Sequence, residues 1–219
     1  MKTAILFDLD GTLLDTLADL HDAVNYALDA FGYPRRSLEE VRRFVGNGAA
    51  RLIALAVPEN ADPAPVLAVF QEYYRDHCRI KTGPYPGIMD ALARLGQKYP
   101  IAIVSNKPDG AVKTLCAQLF PGIYGRGEGA DCPRKPDPAM VRQTMAALGV
   151  TDCVYVGDSE VDIATAKNAG VPCVSVLWGF RDRAELEAAG GTIFCDTAEE
   201  LIDVIEQLIR EIVVCGTGA

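Results

Sequence analysis

Histidine is almost missing from this chain, and cysteine never comes in pairs. Among 219 residues there are two histidines, His21 and His77, and seven cysteines, an odd number scattered from Cys78 to Cys215 with no C-x-x-C spacing. A zinc centre lacks its usual ligands, and no disulfide framework is readable. The cysteines are expected to be reduced thiols, with Cys153 and Cys173 in apolar runs as core residues. No uncharged apolar run is long enough to span a bilayer, and no basic segment followed by an apolar stretch opens the chain, so a cytoplasmic protein with no membrane partner is expected. Basic residues are outnumbered, 21 Lys and Arg against 30 Asp and Glu, and the net charge of −9 repels polyanions. Nucleic acid is therefore not an expected partner, whereas a small phosphate ester is compatible with this balance if local cations outweigh the global field. The one glycine-rich run, Gly125 to Ala130, lacks the G-x-G-x-x-G spacing and a clear preceding strand, and is expected to be an irregular connection.

What is present is an ordinary globular composition, 49% hydrophobic and 23% charged, in a length that suits one large domain or one domain with an insertion. The most informative stretch is Ala4-Ile5-Leu6-Phe7-Asp8-Leu9-Asp10-Gly11-Thr12, an apolar strand that runs into two carboxylates and a glycine turn. Side chains at i and i+2 of a strand share a face, roughly 7 Å apart, so Asp8 and Asp10 are expected to converge on one ligand. Like charges at the mouth of a buried strand need a cation or a proton. A calcium loop fails on spacing, because its sixth position is Leu13 instead of glycine and its twelfth is Asp19 instead of glutamate.

After residue 86, short apolar runs alternate with helical patterns. Ile101 to Val104, Cys153 to Val156 and Cys173 to Leu177 are each followed by a helix-like segment, and Ile193 to Cys195 forms a further short strand. The pattern predicts an α/β fold, a Rossmann-like doubly wound parallel sheet. Residues 15–82 break the alternation with helices alone: Thr16 to Phe31, a Ser37-x-x-Glu40 capping box, a helix after Gly46-Asn47-Gly48, and Pro65 to His77. A catalytic core of residues 1–14 and 83–219 with an all-helical cap at 15–82 is predicted, the cap acting as a lid.

Polar groups recur just past the strands. Ser105-Asn106-Lys107-Pro108 offers a hydroxyl and backbone N–H groups at a helix start, or equally a plain N-cap. Lys135 sits ahead of a proline-started helix, where base rates favour a solvated lysine. Gly157-Asp158-Ser159-Glu160-Val161-Asp162 puts two carboxylates one helical turn apart. Together these suit phosphoryl transfer, whose slow uncatalysed reference, with accelerations up to ~10²¹ required, calls for a nucleophile, a metal and positive charge.

The ordered set Asp8-x-Asp10-Gly11-Thr12, Ser105, Lys135 and Gly157-Asp158-x-x-x-Asp162 resembles the haloacid-dehalogenase-superfamily phosphatases with a helical cap. The resemblance implies that Asp8 attacks phosphorus to form an aspartyl-phosphate and that Asp10 is the general acid and base. It implies Mg²⁺ held by Asp8, the Asp10 carbonyl and Asp158, and phosphate held by Ser105 and the N–H groups around Asn106. Lys135 would neutralise phosphate and orient Asp8, Asp162 would partner Lys135 or a metal-bound water, and Thr12 would assist the phosphate or Asp10. Dehalogenases of the superfamily use one aspartate and no metal, so Asp10 argues for phosphate.

The lid segment Val45-Gly46-Asn47-Gly48-Ala49-Ala50-Arg51 and the Ser105-Asn106-Lys107-Pro108 motif are similar to the phosphoglycolate phosphatase group. Gly46, Asn47 and Arg51 become candidate substrate contacts, Arg51 for a carboxylate. The alternatives are a pyrophosphatase or a broad sugar or nucleotide phosphatase, then a β-phosphoglucomutase-like phosphotransferase using His21, and, from another class, a phospho-receiver signalling module. The expected partner is a small phosphorylated metabolite, for a monomer or homodimer.

Overall fold

A computed structural model describes residues 2–129 and 132–216 of the chain, with side chains to Val214. The apolar run after Lys2 forms β1 (Thr3–Phe7), every residue of it buried. The chain then turns through Gly11 into a short β2 (Leu14–Asp15) and four helices, α1 (Leu17–Ala30), α2 (Leu38–Phe44), α3 (Gly48–Ala56) and α4 (Pro63–His77), before returning in β3 (Gly83–Pro84), which pairs with β2. From there it alternates: α5 (Ile88–Gly96), β4 (Ile101–Pro108), α6 (Asp109–Leu119), β5 (Tyr124–Glu128), α7 (Ala139–Leu148), β6 (Asp152–Gly157), α8 (Glu160–Ala169), β7 (Cys173–Val176), α9 (Arg183–Ala188), β8 (Phe194–Cys195) and α10 (Ala198–Gly216).

Two compact units result, Met1–Leu13 with Pro84–Ala219, and Leu14–Gly83. In the first, six strands form one parallel sheet in the order β5-β4-β1-β6-β7-β8. Ranked by chain position this is 3-2-1-4-5-6, the doubly wound arrangement, whose strand order reverses between β1 and β6 and opens a ligand crevice at their carboxyl ends. β1 is in register with β6 from Thr3↔Asp152 to Phe7↔Val156, so Asp8 and Asp158 leave adjacent strands at nearly the same level. One face of the sheet shows the two-residue period directly: Ala4, Leu6, Ala102, Val104, Cys153 and Tyr155 pack with Met140 and Val141 of α7 and Ala166 of α8.

The glycine-rich run is a strand, contrary to the irregular connection expected. β5 pairs in parallel with β4, and its glycines are required by closeness: a Cβ at Gly125 would lie 2.5 Å from Cys116 Sγ of α6, and one at Gly127 2.5 Å from the Lys107 carbonyl oxygen. Strand propensity was invisible because the positions that must pair have no room for a β-branched side chain. Ala130, at the end of that run, lies outside the described residues, as does the side chain of Cys215; the six other cysteines form no disulfide.

The helical unit has its own core of Leu20, Val24 and Leu28 from α1, Val41 from α2, Leu52 and Ile53 from α3, and Val66 and Phe70 from α4. The Ser37–Glu40 capping box forms at α2. Buried Asp19 accepts from the backbone N–H groups of Lys81 and Thr82, tying the returning segment to α1. His21 Nε2 lies 3.1 Å from the Arg36 carbonyl oxygen and 3.0 Å from Asn25 Nδ2, a structural position inside this unit. Among the described residues no helix is long and apolar enough to cross a membrane.

Candidate active site

The site grows from the crevice between β1 and β6. The strand ends at Phe7, and the two carboxylates just past it pair with different lysines. Asp8 Oδ1 is 2.8 Å from Lys135 Nζ, while both oxygens of Asp10 accept from Lys107 Nζ at 3.0 and 2.9 Å. Both lysines are buried, Lys135 at 2% and Lys107 at 8% exposure, which reverses the solvated reading of Lys135. A buried ammonium needs compensation, and each finds it in a carboxylate.

All three donors of Lys135 are used. Besides Asp8, its ammonium donates to Asp162 Oδ1 at 2.8 Å and to the Tyr155 hydroxyl at 3.1 Å, and Tyr155 in turn donates to Asp162 at 3.2 Å. The other oxygen of Asp162 accepts from the Ser159 backbone N–H at 3.1 Å and hydroxyl at 2.6 Å, so Asp162 also closes the first turn of α8. Asp158 accepts from Thr12 Oγ1 at 3.1 Å and from the Phe180 N–H at 2.7 Å. Gly11, at φ +84°, and Gly179 press on it from two sides: a Cβ at Gly179 would lie 2.5 Å from Asp158 Oδ2 and 2.6 Å from the Gly11 carbonyl oxygen.

Ser105 and Asn106 do not cap a helix. β4 runs on to Pro108, which is itself the N-cap of α6, because proline cannot pre-empt the helix from inside the strand it terminates. Ser105 Oγ accepts from the Lys107 N–H at 3.2 Å. The Asn106 amide clasps the main chain of Lys135, accepting from its N–H at 2.7 Å and donating to its carbonyl at 3.1 Å. Asn106 thus joins the second and third motifs through the lysine's backbone, whereas the sequence suggested only a phosphate contact.

One carboxylate oxygen each from Asp8, Asp158 and Asp162 lie within 4.8 Å of one another, all buried. Asp10 adds no carboxylate to this group. Burial, against the smaller opposing pull of Lys135 and with Asp162 adding repulsion, pushes the Asp8 carboxyl up to about 7. Burial and the neighbouring Asp162 and Asp8 likewise raise Asp158 well above the carboxylate range. For Lys135 burial would favour the neutral form, but Asp162 and Asp8 outweigh it and hold the ammonium well above its usual range. Three acidic groups around one ammonium need protons or a cation to compensate them, and a hard all-oxygen donor set suits a small divalent cation such as Mg²⁺.

Sequence reasoning missed Lys107, Tyr155 and the Trp178-Gly179-Phe180 segment. A buried tyrosine in an apolar strand needs a partner for its hydroxyl, which was the available signal for Tyr155. Trp178 Nε1 donates to the Thr12 carbonyl at 3.0 Å, a contact 166 residues apart that no local pattern foretells. Of the remaining candidates, Gly46, Asn47 and Arg51 belong to the helical unit, with Arg51 exposed on α3.

A family profile for haloacid dehalogenase-like hydrolases matches residues 5–176. The chain is 33% identical over 217 residues to phosphoglycolate phosphatase 1 of Pseudomonas aeruginosa, covering 93% of this chain and 79% of that protein. It is 35% identical over 223 residues to a phosphoglycolate phosphatase of Mesorhizobium japonicum, covering 95% and 97%. Among solved structures, a candidate phosphoglycolate phosphatase from Lactobacillus delbrueckii subsp. bulgaricus superimposes with a TM-score of 0.88 at 41% identity, covering 94% of this chain and 99% of that one. CbbY from Rhodobacter sphaeroides, solved in complex with phosphate, gives 0.75 at 26% identity, covering 92% and 96%.

Proposed function

The chain belongs to the haloacid dehalogenase-like hydrolase family and is a phosphatase, and we propose from that premise that it hydrolyses a small phosphate monoester through an aspartyl-phosphate on Asp8, in the cytoplasm. The observation that carries this reading is Asp8 itself: a carboxylate at the strand-order reversal, held on one oxygen by a fully engaged lysine. Relatives named phosphoglycolate phosphatase over almost the whole length support 2-phosphoglycolate as the substrate.

In the proposed reaction an Asp8 oxygen attacks phosphorus as the bond to the ester oxygen breaks, and Asp10 gives that oxygen a proton. Water then attacks the phosphoryl group, Asp10 takes its proton, and inorganic phosphate leaves with Asp8 regenerated. Lys135 fixes the direction of Asp8 and offsets phosphate charge; Asp162, Tyr155 and Asn106 fix Lys135. Ser105 supplies a hydroxyl to phosphate oxygens, and Thr12 holds Asp158. Mg²⁺ on Asp8, Asp158 and the Asp10 carbonyl would neutralise charge developing on the phosphoryl oxygens. The proposal that Gly46, Asn47 and Arg51 contact the substrate rests on sequence resemblance alone.

The test is Mg²⁺-dependent phosphate release across 2-phosphoglycolate, pyrophosphate, sugar phosphates and nucleoside monophosphates, with Asp8→Asn as control. A preference for 2-phosphoglycolate that vanishes in the control is expected. Even, low activity on every ester would reduce the reading to a general phosphatase. A single phosphorylation without turnover would replace it by the signalling alternative.

A further inference from the structure

The site holds one more cation than the hydrolysis of a simple phosphate ester explains. Lys135 is committed to Asp8, Asp162 and Tyr155, which accounts for the charge beside the nucleophile. Lys107 is a second buried lysine, on the last turn of strand before α6, and its ammonium sits across both oxygens of Asp10. Burying a second ammonium is costly, and a cation clamped on the residue that must reach the leaving oxygen stands in the way of that contact. We propose that Lys107 is a specificity-determining residue whose ammonium, drawn from Asp10, pairs with an anionic group carried on the leaving-group side of the substrate. The favoured class is a phosphate monoester with a carboxylate next to the ester carbon. This rests on the hydrolase reading above, in which Asp10 faces the leaving oxygen.

The reach follows from the observed contacts. Asp10 oxygens are 2.9 and 3.0 Å from the lysine nitrogen, and a hydrogen bond from Asp10 to the ester oxygen adds about 2.7 Å. The ammonium therefore stands at most about 6 Å from the ester oxygen, and a carboxylate one carbon beyond that oxygen lies between the two. The exchange keeps the ammonium paired before and after binding, and it releases the Asp10 oxygens toward the leaving oxygen at the moment they are needed. A sugar phosphate or an alkyl phosphate offers no anion there and would leave Lys107 on Asp10. Lys107 and Asp10 both belong to the unit that carries Asp8, so the selection needs no residue of the helical unit.

The experiment compares kcat/KM for 2-phosphoglycolate and for 2-hydroxyethyl phosphate, its near-isostere without the carboxylate, in wild type, Lys107→Met, Lys107→Gln and Lys107→Arg, all with Mg²⁺. Losing one charge-assisted hydrogen bond corresponds to about 10- to 100-fold, so the ratio of the two values should fall by that factor in Lys107→Met and Lys107→Gln and be largely kept in Lys107→Arg. Lys107→Gln can still hydrogen-bond Asp10 and guards against loss of folding in the apolar variant. Equal losses on both esters would overturn the proposal and leave Lys107 as a holder of Asp10 only. If the wild type turns over neither ester but releases phosphate from others, the 2-phosphoglycolate reading has failed first and takes this inference with it; if it turns over both without preferring the carboxylate, only the selectivity of Lys107 is refuted.

Discussion

Replacing Asn106 tests whether the lysine at the centre of the site is held through its backbone. In Asn106→Ala the Lys135 N–H and carbonyl both lose their partner, and with the residue 2% exposed water does not replace it. Each buried polar group left unsatisfied costs about 1–3 kcal/mol, so a loss on the order of 3 kcal/mol is expected for the two, out of a total stability of about 5–15 kcal/mol. For a protein of this size about 1 kcal/mol moves Tm by about 2–4 °C, which gives a drop of about 6–12 °C. Asn106→Asp alters one of the two contacts. It keeps the acceptor for the Lys135 N–H but sets a buried carboxylate oxygen against the carbonyl, and should be at least as destabilised as Asn106→Ala in urea or thermal denaturation.

Activity gives the second readout. If the clasp positions Lys135, both variants should lose kcat with KM for the phosphate ester changed less, because the ammonium acts on the direction of Asp8. A wild-type Tm in Asn106→Ala would show that the buried peptide finds another partner and refute the reasoning. A large Tm drop with unaltered kcat would confine Asn106 to stability.

Further outcomes follow from the same geometry. Gly179→Ala should abolish most activity and lower stability by about 1–3 kcal/mol, since the added methyl must displace Asp158 or the Gly11 carbonyl; a crystal structure with Asp158 unmoved would contradict it. Tyr155→Phe should reduce kcat by about 10-fold, since one of the three acceptors of the Lys135 ammonium is lost at the cost of one buried hydrogen bond, and unchanged kcat would remove the phenol from the positioning network. Asp8→Asn should abolish turnover yet raise the metal-free Tm at pH 8, by removing one of three crowded carboxylates, and a lower Tm would mean that the Lys135 pair outweighs the crowding. Without metal, the folded protein keeps the Asp8 proton up to about pH 7 whereas the unfolded chain loses it near pH 4, so stability should fall as pH rises through that window. Mg²⁺ requires the ionised carboxyl, so the Tm gain on adding it should be larger at pH 8 than at pH 5.5; equal gains at both would place the ion away from Asp8.

The legible part of this molecule was whatever a single segment could declare. β1, β6 and β7 are runs of apolar residues with turns behind them, α2 carries its own capping box, and the motif residues lie just past strand ends where a parallel sheet puts ligands. The sheet order makes Asp8 and Asp158 neighbours, as the resemblance implied in giving both to one metal ion; the alternation of strands and helices alone does not fix that adjacency. Illegible were features set by close approach between distant segments. β5 is a strand through its pairing with β4, its glycines demanded by the close approach of Cys116 and the Lys107 carbonyl, and the Trp178-Gly179-Phe180 segment matters because it packs on Asp158 and Thr12. The pairing of Asp8 and Asp10 with different lysines depends on where the strand stops, a boundary that periodicity locates only to within a few residues.

Charge explains why so many neutral groups surround the acidic cluster. Asp8, Asp158 and Asp162 share a few ångströms with one ammonium, an arrangement that opposes folding until a proton or a metal cation joins it. The other buried lysine of the site, Lys107, sits on Asp10. Asp158 and Asp162 are further fixed by neutral donors, Thr12 and the Phe180 N–H on Asp158, Ser159 and Tyr155 on Asp162, which hold direction without cancelling charge. The site therefore keeps its attraction for a metal cation by staying undercompensated, and the stability that it forgoes has to come from the sheet beneath it, where Tyr155, Leu6 and Val104 are fully buried.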